Sequence, residues 1–290
     1  MKKIGKLKGE RMMKKVVKLI GFTLGASLLL AACGSGEDAT VKVGLVGDDT
    51  TVWDSVAERA KEEYDIDIEL VKFNDYNTPN DALADGSVDL NSFQTIIFMN
   101  NYEEASGNDF TPIGNTIITP LGIYSEKHES IEEIGEGQSV AIPNDVTNGG
   151  RALNLLQEAG FITLDEEASA SFTPTVDDIT ENPYNLDIQE VDAAQTARSV
   201  NDVDFSVING GYAVDAGYYP QEDALFLEPN SESAQQYINV IAARTDEADS
   251  ETFKQIVEIY QTEETATLID EVYHGGQVPA WDDYGFAPVE

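Results

Sequence analysis

Three short segments hold the residue types that grip a small polar molecule. The first is Pro143-Asn144-Asp145-Val146-Thr147-Asn148-Gly149-Gly150-Arg151, which follows a strand-like run and opens a helix-like one. Free N–H groups at a helix start attract an anion, and Arg151 adds a planar fork of donors suited to a carboxylate. Thr147 or Asn148 is placed to cap that helix, and the glycines would let a ligand approach the backbone. The same residues also read as an ordinary capped helix with Arg151 in a surface salt bridge, and local features leave both readings open. The second segment is Asp89-Leu90-Asn91-Ser92-Phe93-Gln94-Thr95-Ile96-Ile97-Phe98, where Phe93 and Phe98 flank a helix start and could form an apolar wall or serve as core aromatics. The third is Ile208-Asn209-Gly210-Gly211-Tyr212. Here Asn209 offers a donor and an acceptor to a ligand's polar end, or caps a turn.

Catalytic signals are weak by comparison. There is no Gly-x-Ser-x-Gly elbow, no phosphate loop ending in Gly-Lys, and no thiol other than Cys33. The two histidines, His128 and His274, are isolated and lack metal-type spacing. His128 sits among acids in a loop and reads as solvated. No Asp-x-Asp-x-Asp-Gly calcium loop is present, and no acid pair for glycoside hydrolysis can be picked from so acidic a background. The expectation is a binding protein with no catalytic residue, metal or cofactor.

Residues 1–32 read as a targeting leader. Lys2, Lys3, Lys6, Lys8, Arg11, Lys14, Lys15 and Lys18 precede a short apolar stretch from Ile20 to Leu30, too short for a comfortable membrane span. Met12 and Met13 stand before a further Lys-Lys pair, so translation could start at Met1, Met12 or Met13. The leader closes on Leu30-Ala31-Ala32-Cys33, and Cys33 is the only cysteine in the chain. With one cysteine no internal disulfide forms, and the fold rests on its core. Residues 33–40 make a short flexible tether.

The leader carries 8 of the 17 Lys and Arg and 1 of the 54 Asp and Glu, leaving 9 basic and 53 acidic residues and a formal charge of −44. Nucleic-acid binding is excluded on that ground, because it needs a basic stripe to replace counterions. Adhesion to anionic headgroups by charge is disfavoured too. The acids are interleaved with apolar residues, the pattern of a solvated acidic surface on a folded domain. Stability that rises with added salt is the corresponding expectation.

The apolar pattern supplies the scaffold. Val41–Gly47 reads as a buried strand, Trp53 to Tyr64 as a helix, and Ile66 to Phe73 as the next strand, which together suggest a βαβ unit. Asn80–Gly86 fits a short helix, Phe93–Ala105 a longer one, and Pro112–Tyr124 one extended strand. The alternation then restarts with strands at 139–143, 186–191 and 205–208, a helix through Ala152–Ala159, a strand at 237–243, and helices at 250–261 and 263–273. This predicts two α/β lobes, residues 41–118 with 241–290 and residues 119–240, and a cleft between them is a preferred ligand site.

Taken together, these segments resemble the NlpA/MetQ-type methionine-binding lipoproteins of ABC importers. The resemblance rests on Val41-Lys42-Val43-Gly44, Phe73-Asn74-Asp75-Tyr76 with Pro79-Asn80, Asp89-x-Asn91-x-Phe93-Gln94 and Gly114-Asn115-Thr116. It continues through Pro143-Asn144-Asp145-x-Thr147-Asn148-x-Gly150-Arg151, Glu181-Asn182-Pro183, Val207-Ile208-Asn209-x-x-Tyr212 and Gly275-Gly276. The pieces occur in order over nearly the whole chain after the leader, and Leu30–Cys33 resembles the lipobox independently. The resemblance implies acylation of Cys33 and anchoring at the extracytoplasmic face of the membrane. It also implies a two-lobed periplasmic-binding-protein fold of type II with the ligand in the cleft, and partners in a permease and its ATPase. It places Arg151 on the ligand carboxylate, Asn148 and Asn209 on the amino-acid head, and Tyr76 and Phe93 around the side chain. Two positions depart from the family: Thr95 stands where His is common, and Phe98 where a tyrosine is common. Both make the pocket roomier or less polar, which keeps another apolar amino acid, a derivative or a methionine-containing dipeptide in view. An adhesin or enzyme reusing the fold is the remaining alternative.

Overall fold

A computed structural model describes residues 40–229 and 232–281. The leader, Cys33 and most of the tether lie outside the described residues. The chain enters through β1 (Val41–Val46), where only Lys42 is exposed. α1 (Thr51–Tyr64) lays Val52, Trp53, Val56 and Ala60 onto the sheet, and β2 (Ile68–Phe73) returns parallel to β1. α2 (Pro79–Ala84) opens on a proline, whose missing N–H costs nothing in a first turn. β3 (Leu90–Thr95) then pairs parallel to the other side of β1, followed by α3 (Ile96–Ser106) and β4 (Phe110–Ile118).

At Thr119–Leu121 the chain crosses to a second sheet. This sheet is built from β5 (Gly122–Tyr124) and β6 (Ser139–Pro143), then α4 (Val146–Glu158). The small strand β7 (Thr163–Leu164), helix α5 (Glu166–Ala170) and β8 (Ile179–Glu181) form an appendage in which β7 pairs with β8. β9 (Asp187–Val191), α6 (Ala193–Ser199), β10 (Phe205–Ile208), α7 (Gly210–Asp215), α8 (Pro220–Asp223) and β11 (Phe226–Leu227) complete it. A return crossing leads to β12 (Ile238–Arg244), α9 (Glu251–Tyr260), α10 (Glu263–Tyr273) and β13 (Val278–Pro279). The first sheet has the order β13-β4-β12-β3-β1-β2 and the second β11-β5-β10-β6-β9. This is the mixed α/β, two-lobed architecture the pattern implied.

Each sheet has its own core. Val43, Leu45, Val56, Ile256 and Ile269 fill the space between the first sheet and α1, α9 and α10. Val140, Ile142, Leu153, Leu156, Phe161 and Phe205 fill the second, each worth roughly 1.5–3 kcal/mol of burial. A smaller cluster joins the lobes: Val46 and Tyr76 pack against Ile208, Tyr212 and Ala213.

Three boundaries differ from the sequence expectation. Phe93 lies on β3, not on a helix, because the sheet pairing continues to Thr95 before α3 begins. The apolar run 112–124 is two strands in two sheets, broken at Pro120, where the chain changes lobes. β12 starts at Ile238, so residues 238–240 run in the first sheet, not in the second lobe.

Candidate functional site

A cavity of about 140 Å³ lies between the two sheets. All seven residues singled out from the sequence line it: Tyr76, Phe93, Thr95 and Phe98 from the first lobe, and Asn148, Arg151 and Asn209 from the second. One wall is aromatic. The Tyr76 ring stacks on Phe93 at 5.8 Å, and Phe98 meets both edge-on at 6.0 and 5.9 Å. Such pairs hold their geometry by quadrupole attraction as well as burial. Burial, and then the charge of Asp145, push the Tyr76 hydroxyl far above its ordinary value, so it stays protonated. Thr95 has a second role. As N-cap of α3 its hydroxyl accepts from Phe98 N at 3.2 Å, which fixes Phe98 against the wall.

The polar wall is oriented by a relay that starts at Asp145. α4 begins two to three residues earlier than the sequence suggested, so its N-cap is Asp145, not Thr147 or Asn148. Its carboxylate accepts from Asn148 N at 2.9 Å and from Asn148 Nδ2 at 3.0 Å. An ionised carboxylate only accepts, so Asn148 must turn its amide nitrogen toward Asp145 and its oxygen away. That oxygen accepts from Asn209 Nδ2 at 2.7 Å. Asn209 is thereby forced to present Oδ1, which is buried and has no protein partner. The relay converts one carboxylate into a free carbonyl acceptor at the cleft.

Two features of the same segment are corrected by the structure. The cap takes one of the N–H groups at the α4 start that were expected to attract an anion, that of Asn148. The glycines serve packing, not ligand approach. A Cβ on Gly149 would sit 2.8 Å from Pro143 O, and one on Gly150 would sit 2.7 Å from Thr173 Cα.

Arg151 is buried and firmly held, which excludes the surface salt bridge. Nε donates to Glu228 Oε1 at 2.9 Å and Oε2 at 3.1 Å, and Nη2 donates to Glu228 Oε2 and, at 3.0 Å, to Thr119 O. The Tyr237 ring lies 4.1 Å from the guanidinium carbon. Burial, opposed by the Arg151 charge, pushes the Tyr237 hydroxyl up to about 12. Among the described residues, no hydrogen bond uses Arg151 Nη1.

Sequence reasoning missed three contributors. Asp145 has no role in the sequence reading, yet it caps α4 and orients Asn148. Gln94 lines the cavity, accepts from Asn80 Nδ2 at 2.6 Å, and leaves Nε2 buried without a partner. Its place between Phe93 and Thr95 was the available signal. Glu228 had none, being one acid among many and far along the chain from Arg151. His128 is not solvated as expected. Its ring stacks on Phe205 at 4.8 Å, and Nδ1 lies 3.2 Å from Glu133 Oε2, away from the cleft.

The model of the NlpA lipoprotein family matches residues 41–281. The chain belongs to the NlpA lipoprotein family. Among its relatives is the D-methionine-binding lipoprotein MetQ of Escherichia coli (strain K12), 39% identical over 272 residues, 92% of this chain and 98% of that protein. Among solved structures of similar fold is a nutrient binding protein from Burkholderia cenocepacia bound to methionine, with a TM-score of 0.80 and 39% identity over 83% of this chain and 100% of that one. Another is the substrate binding protein of a methionine transporter from Streptococcus pneumoniae, with a TM-score of 0.78 and 37% identity over 83% of this chain and 96% of that one. In this NlpA family member the seven cleft residues are carried by both lobes, so a ligand between them would touch each.

Proposed function

We propose that this chain is the solute-binding lipoprotein of an ABC importer for methionine or a close relative of it. The observation that carries the reading is the pairing of an aromatic wall with an unclaimed donor, Arg151 Nη1, and an unclaimed acceptor, Asn209 Oδ1. A free amino acid needs both: the donor for its carboxylate and the acceptor for its ammonium. Tyr76, Phe93 and Phe98 suit a thioether, which gains from sulfur–aromatic contact as well as from burial. Relatives named for methionine binding point the same way. The protein transforms nothing; it closes on its ligand and presents it to a permease driven by an ATPase. Acylated Cys33 holds it at the extracytoplasmic face of the membrane, since the strongly acidic body has no basic patch to do so.

The test is calorimetry against a panel of L- and D-amino acids, N-blocked methionine and methionine dipeptides. Methionine is expected to bind most tightly. The dipeptides belong in the panel because the same cavity reaches Asp49, Trp53 and Gln277, beyond the residues assigned to a free amino acid. Silence across the panel, with no small molecule released from gently purified protein, would refute the reading.

A further inference from the structure

We propose that Glu228 is a positioning residue that sets the charge selectivity of the cleft, admitting ligands of zero net charge and refusing net anions. The proposal rests on the methionine reading above. Arg151 looks like a naked cation waiting for a carboxylate, but its charge is already answered. Glu228 covers the Nε–Nη2 edge with both oxygens, the Tyr237 ring covers a face, and only Nη1 is unclaimed. The pair is well shielded, with side-chain exposures of 4% for Arg151 and 17% for Glu228.

Glu228 cannot easily swing away. Its N–H donates to Leu121 O at 2.8 Å, and its Oε2 accepts from Leu121 N at 3.2 Å. Those bonds tie the return crossing to the outward crossing at the point where Arg151 also holds Thr119 O. The carboxylate is therefore a fixed part of the joint between the lobes, and the guanidinium it fixes is the one that faces the cleft. Arg151 lines the cleft as half of a neutral ion pair, with Nη1 the one nitrogen that no described residue claims. A zwitterion matches this, because its carboxylate takes Nη1 and its ammonium charge balances its own carboxylate. A ligand with a blocked amine brings an uncompensated negative charge into a site with no net positive charge to receive it. A glutamine at position 228 would keep the shape and unmask the Arg151 charge, which repels an ammonium and favours a bare carboxylate.

The experiment measures the affinities of methionine and N-acetylmethionine for the wild-type chain, Glu228→Gln and Glu228→Asp. The acetyl group's bulk is common to all three, so the change in the ratio reports charge. In Glu228→Gln, the preference for methionine over N-acetylmethionine should fall by on the order of tenfold. In Glu228→Asp it should stay within about twofold of wild type. A preference in Glu228→Gln no lower than wild type's overturns the proposal, as does an equal fall in Glu228→Asp. Failure of either protein to show detectable binding of the acetylated ligand counts as no fall. A wild-type chain that binds no amino acid defeats the methionine reading itself, which is a different pattern of results. If Glu228→Gln gives no cooperative melt, Glu228→Ala is used with added formate. The vacated carboxylate position borders a second cavity of about 160 Å³ whose rim includes exposed Pro229. The preference should fall without formate and recover with it, and a preference that formate does not restore overturns the proposal.

Discussion

Two of the places where the lobes meet do so by opposite electrostatics. At the joint, Arg151, Glu228 and the two crossings form a shielded set in which each charge faces its opposite. At the seam, away from the crossings, carboxylates of the second lobe meet neutral donors of the first. Asp215 accepts from Asp48 N at 3.4 Å, and Asp192 accepts from Asn77 Nδ2 at 3.1 Å. Tyr76 lies against Tyr212 at 4.9 Å between these contacts. The surroundings of the seam are negative. Burial pushes the Tyr212 hydroxyl far up, and Tyr76, Asp192, Asp75 and Asp215 push it further. Even the backbone there is shaped for the fit: Gly47 has a φ of +107°, and a Cβ on it would fall 2.6 Å from Asp215 Oδ2. A joint of opposite charges persists under most conditions. A seam of carboxylates on neutral donors is conditional, because salt and protons change its energy directly.

The largest way to break this contrast is Arg151→Ala. It removes the ligand's donor and strands Glu228, and should cost about 2–5 kcal/mol of affinity. Folding stability should fall by roughly 3 kcal/mol, read by denaturant melts. Asp145→Ala comes next. It should cost about 1 kcal/mol of stability through the lost cap. It should cost about as much again in affinity as the Asn148 and Asn209 amides lose their fixed orientation, read by calorimetry. Asn77→Asp attacks the seam alone, by setting a carboxylate against Asp192. Affinity should weaken by at most about 1 kcal/mol and recover in high salt, whereas the Arg151→Ala loss should not. Asp215→Asn is the smallest. Burial raises the Asp215 carboxyl above its ordinary value of 3.8, so the folded state holds that proton more tightly than the unfolded chain. The stability it gives is present in full below pH 3.8 and is lost as pH rises through the folded value. Asp215→Asn should therefore melt with wild type at acid pH and above it at neutral pH.

Much of this was legible in the sequence where periodicity governs. β1, α1, β6, β9, β10 and the closing helices lie where apolar spacing put them, because burial on one face dictates that spacing. The misplaced boundaries share a cause. From Phe93 onward, and again from Pro112 to Tyr124, the residues remain apolar while their partners change, and composition does not record a change of partner. Cap identity failed for a similar reason: Asp145, Thr147 and Asn148 are all good caps, and a shift of two or three residues in the helix start selects among them. The aromatic wall and Arg151 were recognisable by residue type and family order. Glu228 was not, since its role comes only from being folded against Arg151.

The order of strands in the first sheet has a consequence for how the molecule is made. β12 lies between β3 and β4, yet it follows the entire second lobe in the chain. The second sheet draws all its strands from one uninterrupted stretch, β5 to β11. A chain delivered from its N-terminus can therefore finish the second lobe while the first still has an open slot at the centre of its sheet. Until residue 238 arrives, the edges of β3 and β4 stand unpaired, and exposed edges of that kind invite pairing with other chains. The first lobe thus has to wait for the end of the chain, and holding back residues 238–281 would leave the second lobe's sheet complete and the first one's unclosed.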